Sequence, residues 1–221
     1  DRARSLDASA PELDRMIADP DFEGRMIDGE DRLREVYRAH AHLLESASRR
    51  EGLDADDARS MVVARLARRE GLADLDLTGV DLSGLDLRGV DMRGTFLDNA
   101  DLRGCDLRGA DLWRAVACRA DLTDARLDGA HVAEANFGRA LLARASLKGL
   151  RFERTVLTGA DLTGAALDEA RFEGSDLSEA TLSGASLRGI EARSLMMLGV
   201  DLSLAKLDGA KLVKCNLLQC N

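Results

Sequence analysis

The hydrophobic positions of this chain recur every five residues from Leu77 to Leu217. Of the 29 positions in this series, 21 are leucine, and phenylalanine, methionine, valine or alanine fill the rest. A second series, two residues earlier, holds 16 alanines. A period of five fits neither an α-helix nor a flat strand, whose periods are about 3.6 and 2. The pattern therefore predicts a chain that turns a corner after every fifth residue.

A fixed short period is typical of a repeat architecture, in which each unit stacks on its neighbours. The segment 100–104 reads Ala-Asp-Leu-Arg-Gly. Its alanine and leucine point to the interior, its aspartate and arginine point outward, and Gly104 permits the positive φ of a tight corner. Four such sides close a square coil, and about seven coils stack about 4.8 Å apart. Residues 20 apart then lie side by side, so we expect Phe172 to pack beside the small Ala192.

These A(D/N)LxG-type repeats resemble the repeats of the pentapeptide-repeat family. The resemblance covers about two-thirds of the chain, and the repeat stays in register throughout. It implies a mainly β fold, a right-handed quadrilateral β-helix of about seven coils over residues 74–221. A small α-helical N-terminal segment over residues 1–73 precedes it.

The N-terminal segment lacks the five-residue repeat and carries helix signals instead. A capping box begins a short helix that runs from Ser9 to about Ala18. Apolar spacing predicts a second helix within Asp28–Arg50, and Asp54 can cap a third helix that stops near Gly71. A solenoid exposes an edge at each end, so the last two helices either cap the first coil or link it to a preceding domain.

The ends of the chain bear on location and assembly. We find no signal peptide and no apolar run long enough to span a membrane, which predicts a bacterial cytoplasmic protein. The sequence stops inside the repeat. Either the native protein is longer, or the last coil pairs with a partner, such as a second copy in a homodimer.

Charge and cysteine content argue against several function classes. The net charge is −9, whereas a protein that binds nucleic acid directly is usually basic. Cys105, Cys215 and Cys220 fall at the small inward position, and Cys118 is predicted to point outward. The histidines and aspartates form no set with the spacing of a catalytic or metal site. We predict that the chain is not an enzyme and needs no cofactor.

One side of the predicted coil, centred on Leu77, Leu97 and Ala117 and named here the apolar face, departs from the repeat. Its first outward column holds apolar residues where Asp or Asn is usual. The predicted protein-binding residues on this face are Phe96, Val116, Val156, Met196, Leu198 and Leu218. A contiguous apolar stripe marks a contact site. Three explanations stay open: a partner or a self-contact binds there, the chain's own N-terminal segment covers the stripe, or the residues only reflect β-propensity.

A second side carries an acidic column, formed by Asp81, Asp101, Asp121, Asp161 and Asp201. Members of the pentapeptide-repeat family that mimic DNA bind type II topoisomerases such as gyrase, inhibit them or protect them from quinolones, and have broad acidity. Residues 73–221 carry a net charge of −5. Duplex DNA of the same length would carry about −20. The charge therefore disfavours DNA mimicry.

We interpret the chain as a non-enzymatic scaffold for protein–protein interaction. Pentapeptide repeats also form tails on larger bacterial proteins, and the layout resembles the tail of a type VI secretion-system adaptor or effector. The alternative is a DNA mimic that binds gyrase or topoisomerase.

Overall fold

A computed structural model describes residues 22–44 and 55–221, with side chains for 29–44 and 57–221. The predicted helix from Ser9 to Ala18 lies outside the described residues. Contacts divide the chain after Ala39, and helix α1, Phe22–His40, is described here by itself. It begins before the predicted Asp28, and it ends at His40 instead of continuing toward Arg50.

A 3₁₀ turn, Ala41–Leu43, follows α1, and Leu44 is extended. The Ala41 carbonyl accepts the Leu44 N–H that closes this turn. The guanidinium of Arg119 also donates hydrogen bonds to the carbonyls of Ala41 and Leu44, so a tertiary contact accompanies the end of the helix. Residues 45–50 of the predicted helix lie outside the described residues.

Helix α2, Ala55–Ala67, packs on the first coil of the repeat region. Its Ala58 and Val62 are buried in the same hydrophobic core as the inward leucines. Arg59 donates to the Asp81 carbonyl at 2.8 Å and to the Ser83 carbonyl at 3.0 Å, so these two carbonyls have partners. This helix covers the edge of the solenoid and keeps the first coil from exposing its interior.

The repeat region is a solenoid whose coils advance by 20 residues, as the period predicted. Leu77 N–H donates to the Phe96 carbonyl at 2.8 Å, and Phe96 N–H donates back to the Leu75 carbonyl at 2.9 Å. At each corner a turn closes, as where Val80 N–H donates to the Leu77 carbonyl at 3.1 Å. Coil-to-coil hydrogen bonds already begin at Leu72, which donates to the Asp91 carbonyl at 2.7 Å.

The corner residue of each side has a positive φ. Gly104 has a φ of 64°, as expected for a glycine corner, but Arg114 has a φ of 58°. A non-glycine residue pays about 1–2 kcal/mol for this conformation. The hydrogen bonds between stacked coils hold the backbone in this conformation, so the chain tolerates the strain and can carry long side chains at the corners.

Four short strands form one parallel sheet along one side of the solenoid, in the order β1-β2-β3-β4. They are β1 Arg151–Glu153, β2 Arg171–Glu173, β3 Glu191–Arg193 and β4 Lys211–Val213. Their central residues point inward, and the register places Phe172 between Phe152 and Ala192. The two phenylalanine rings stack with centroids 4.6 Å apart. The predicted pairing of Phe172 with the small Ala192 is therefore confirmed.

Candidate protein-interaction face

The apolar face carries two outward columns that flank its central inward residues. The first column runs through Asp76, Phe96, Val116, Asn136, Val156, Asp176, Met196 and Asn216, and each residue pairs with the next coil. The second column, two residues later, runs through Thr78, Asp98, Cys118, Gly138, Thr158, Ser178, Leu198 and Leu218. An outward side chain is exposed unless another segment of the chain lies over it.

The middle of this face is covered. Val116 was predicted to be a surface anchor, but it is fully buried, as are Asn136, Cys118 and Gly138. The prediction that Val116 offers a free contact surface is therefore wrong for this structure. The segment Ala41–Leu44, named here the strap, lies against Gly138, Asn136 and Arg119, so a segment that precedes the repeats covers part of this face, which is one of the alternatives that the sequence left open.

The strap is seated at Gly138. All other glycines from residue 74 onward occupy the positive-φ position of a turn, whereas Gly138 is the turn residue just before that position and has no positive φ. A β-carbon built at Gly138 would lie 2.1 Å from the His42 β-carbon and 2.9 Å from its Cγ. The glycine thus makes room for the histidine, and its place outside the corner series was the sequence signal for this contact.

Asn136 joins the strap to the coil. Its Oδ1 accepts hydrogen bonds from Gly138 N–H at 3.0 Å and from the Cys118 thiol at 3.2 Å. Its Nδ2 faces His42 Nδ1 at 3.2 Å. Burial lowers the pKa of His42, and the nearby His40 and the arginines act in the same direction, while Asp176 opposes them.

Cys118 was predicted to point into solvent, and its burial corrects that prediction. Its backbone position is outward, but the contact with Asn136 and the cover over this face remove it from water. Burial raises the pKa of Cys118 to about 12 and that of Cys105 to about 11. Both thiols are therefore protonated at neutral pH.

Toward the last coils the apolar face is more exposed. Phe96 and Val156 are half-buried, and three further residues form an exposed cluster, named here the apolar patch: Met196 (46% exposed), Leu198 (39%) and Leu218 (62%). Leu198 and Leu218 stand on adjacent coils, because Gly199 N–H donates to the Leu218 carbonyl at 2.9 Å. Leu198 and Leu218 stand at positions that carry small or polar residues in the preceding coils, and Met196 lies beside them on the first column.

The acidic column has a structural role. Each of its five aspartates uses Oδ1 to accept the backbone N–H two residues later: Asp81 from Ser83 at 2.8 Å, Asp101 from Arg103 at 3.1 Å, Asp121 from Thr123 at 3.0 Å, Asp161 from Thr163 at 3.0 Å and Asp201 from Ser203 at 2.9 Å. Hydrogen bonds from Arg103 hold the pKa of Asp101 below its ordinary value. The repeated aspartate thus supports the turn that follows it.

Arginines pair with aspartates in the first coils. Four Asp–x–Arg sequences form ion pairs: Asp86–Arg88 at 2.5 Å, Asp91–Arg93 at 2.7 Å, Asp101–Arg103 at 2.5 Å and Asp106–Arg108 at 2.6 Å. Of these, Asp101 belongs to the acidic column, and the other three lie on neighbouring sides. The surface of the first coils therefore alternates in sign over a few ångströms.

The family model described as Pentapeptide repeats matches residues 72–94, 97–132, 120–159 and 155–190 in eight copies, which together span more than half of the chain. This chain belongs to the pentapeptide-repeat family. Its fold is the right-handed quadrilateral β-helix of that family, as the resemblance implied.

Solved pentapeptide-repeat structures are similar to this chain. HetL, a protein involved in heterocyst differentiation regulation from the cyanobacterium Nostoc sp. strain PCC 7120, is 25% identical over 73% of this chain and 93% of its own, with a TM-score of 0.24. A trypsin-treated form of QnrB1, described as a plasmid-mediated fluoroquinolone resistance protein, is 21% identical over 66% of this chain and 83% of its own, with a TM-score of 0.38. No curated protein matches.

Within residues 22–44 and 55–221, no group of three or more His, Cys, Asp or Glu side chains could hold a metal ion. No helix in the same ranges is both long and apolar enough to cross a membrane. Pentapeptide-repeat proteins are in general structural and interaction proteins.

We expect the ion pairs of this pentapeptide-repeat solenoid to weaken in acid. The hydrogen bond from Arg108 lowers the pKa of Asp106 from 3.8 to about 2. A carboxylate with a depressed folded-state pKa stabilises the fold above its unfolded pKa and loses that contribution as the pH falls toward 2. The effect of one exposed pair is small. Thermal melts from pH 7 to pH 2 should show a smaller acid-induced drop in Tm for Asp106→Asn than for the wild type.

A control separates this pair from general acid unfolding. The variant Arg108→Gln removes the hydrogen-bonding partner and leaves Arg88 at 3.8 Å and Arg126 at 3.9 Å from the Asp106 carboxylate, so its Tm at pH 7 should be slightly lower, and its acid-induced drop smaller, than those of the wild type. If Asp106→Asn and the wild type lose the same number of degrees between pH 4 and pH 2, the pair does not act as described.

Proposed function

We propose that this chain is a non-enzymatic protein-interaction module and that its apolar face binds a partner protein through the apolar patch and Val156. One observation carries the proposal. Met196, Leu198 and Leu218 expose large apolar side chains at neighbouring positions of one flat side. A cluster of this kind on an otherwise polar repeat surface favours a binding role.

The scaffold suits such a role because its backbone is fixed. Two hydrogen bonds join Met196 to the preceding coil: its N–H donates to the Ser175 carbonyl at 3.0 Å, and its carbonyl accepts from Leu177 N–H at 2.8 Å. A rigid contact surface loses little backbone entropy on binding, so more of the energy of burial appears as affinity. Methionine adds a flexible side chain that adapts to a partner's shape.

The narrower prediction, a tail of a type VI secretion adaptor or effector, rests on the layout of the chain and stays a prediction. The same holds for a homodimer through the last coil. The alternative, a DNA mimic that binds gyrase, draws on QnrB1, which is described as a fluoroquinolone resistance protein. The Asp–x–Arg ion pairs count against it, because they interrupt the negative surface that mimicry needs.

The proposal is tested by capture from the lysate of the native cell, followed by a binding measurement with the purified partner. Met196→Glu combined with Leu198→Glu places two charges in the patch. We expect the variant to bind at least about 100-fold more weakly than the wild type, since each buried anchor contributes about 1–2 kcal/mol or more.

Leu141→Glu is the matched control. Leu141 is 43% exposed at an outward position of the acidic column's side, so this substitution introduces one glutamate at an exposure similar to that of each patch residue. It should leave the affinity unchanged. Equal binding by the patch variant and the wild type would refute the role of the apolar patch. Capture of gyrase or topoisomerase subunits equally by all three proteins would favour the DNA-mimic alternative.

A further inference from the structure

We propose that the strap, Ala41–Leu44, is a pH-sensitive latch on the apolar face, held in place only while His42 is neutral. This inference concerns the regulation of the face that the proposed function uses, and its role in partner binding rests on that function. The latch itself is a property of the isolated chain and is argued below from its contacts.

The seat of the strap is specific. Gly138 lacks the side chain that would collide with His42, although its backbone does not require glycine. The neighbouring sides carry Ala133 and Ala143 at the equivalent position, so a small side chain suits the solenoid there. On the corner beside the seat, Arg119 donates to the carbonyls of Ala41 and Leu44. Steric fit and directed hydrogen bonds therefore select this docked position.

Only a neutral imidazole satisfies the hydrogen bonds at the seat. Gly138 N–H and the Cys118 thiol both donate to Asn136 Oδ1, which fixes the orientation of the amide. The Asn136 NH₂ group then donates to His42 Nδ1, which must be unprotonated to accept. Protonation of Nδ1 would place two donors face to face. If the Asn136 amide flipped, its NH₂ group would face Gly138 N–H, so two donors would again meet and the hydrogen bond from Gly138 would be lost.

The charged groups around His42 add to this preference. Arg119, Arg139 and His40 stand near the ring and disfavour a second positive charge, whereas Asp176 favours it. Burial of the ring is the largest influence and also disfavours the charged form, so the pKa of docked His42 lies below 6.5. Protonation is then linked to release. The strap is held above about pH 6.5, the value of a free histidine, and its docking is lost as the pH falls through the docked pKa.

Release would change the binding surface. The residues under the strap are Gly138, Asn136 and Cys118, all of them buried. Undocking would uncover this part of the face. The face would then present a different surface to partners at mildly acidic pH than at neutral pH.

The test uses Cys118, which lies under the same cover, as the reporter. A chain with Cys105→Ala, Cys215→Ser and Cys220→Ser retains Cys118 as its only thiol. The rate at which 4,4′-dithiodipyridine labels Cys118 is measured from pH 7.5 to 5.0. At each pH it is divided by the labelling rate of the same chain unfolded in urea, which removes the pH dependence of the thiol itself. We expect the ratio to rise by up to tenfold per pH unit below about 6.5.

Four variants make the result specific. Gly138→Ala fills the seat, so Cys118 should label fast at every pH. His42→Gln removes the titrating group, so the ratio should no longer depend on pH, whereas His40→Gln should keep the dependence. Thr78→Ala, a small substitution on the same column away from the strap, should behave as the parent chain.

A ratio that stays flat with pH in the parent chain, or a pH response that persists in His42→Gln, would overturn the latch. No partner is present, so this outcome would leave the proposed function standing. Conversely, Met196→Glu with Leu198→Glu should abolish partner binding and keep the pH response of Cys118, which separates failure of the binding proposal from failure of the latch.

Discussion

Replacing Phe172 with alanine is expected to lower the free energy of unfolding by about 3–5 kcal/mol. Phe172 is buried between Phe152, whose ring stacks on it at 4.6 Å, and Ala192, which is too small to fill the space left behind. The hydrogen bonds between coils hold their spacing, so the interior cannot collapse around the gap. The loss therefore includes the cost of a cavity as well as the lost burial.

Urea unfolding followed by circular dichroism measures this loss. Phe172→Leu is the control, because it keeps the position apolar and retains most of the volume, and it should cost much less. Ala192→Leu combined with Phe172→Ala offers a second check, since a larger neighbour should partly refill the cavity and recover part of the stability. An unchanged midpoint for Phe172→Ala would show that the coils do not stack in this register.

Deleting the single residue Gly164 is expected to disrupt the coils that follow it, whereas deleting residues 161–180 should leave the remaining coils folded. The single deletion shifts the period, so that Asp168 takes an interior position and Leu167 faces water. Each leucine moved into solvent loses roughly 1.5–3 kcal/mol of burial, and the error repeats at every later side. The longer deletion removes one coil and rejoins equivalent corners.

A five-residue deletion, 161–165, is the informative intermediate. It keeps the leucines inward but rotates every later side by one face, so Phe172 no longer stacks on Phe152. We expect its stability to fall between those of the other two deletions. Thermal melts and urea titrations of the three chains, compared with the full repeat, rank them. Equal stability of the single-residue and 20-residue deletions would contradict a fold set by the five-residue period.

The fold could be predicted in detail because covalent spacing alone sets its register. Once each side has five residues and each coil has four sides, residue 152 must lie beside residue 172. Both are phenylalanine, so the stacked pair could be predicted. The same spacing identified the outward columns. No knowledge of distant contacts was needed, because each coil touches only its neighbours.

The site was predicted less well because its cover comes from a distant part of the chain. Val116 and Cys118 were expected to be exposed, and the columns do place them outward, but the strap lies some 75 residues earlier. Periodicity carries no information about such a contact. The one local sign of the contact was Gly138, a glycine outside the positive-φ series. The structure explains it, because a β-carbon there would collide with His42.

The direction of the hydrogen bonds has a mechanical consequence. Bonds such as Leu102 N–H to the Asp121 carbonyl, at 2.7 Å, join successive coils and so lie along the axis of the solenoid. Tension along that axis pulls each bond apart lengthwise and loads one coil at a time, instead of shearing many bonds together. Under force the rod would therefore extend in equal steps, each freeing one 20-residue coil, or about 66–72 Å of stretched chain.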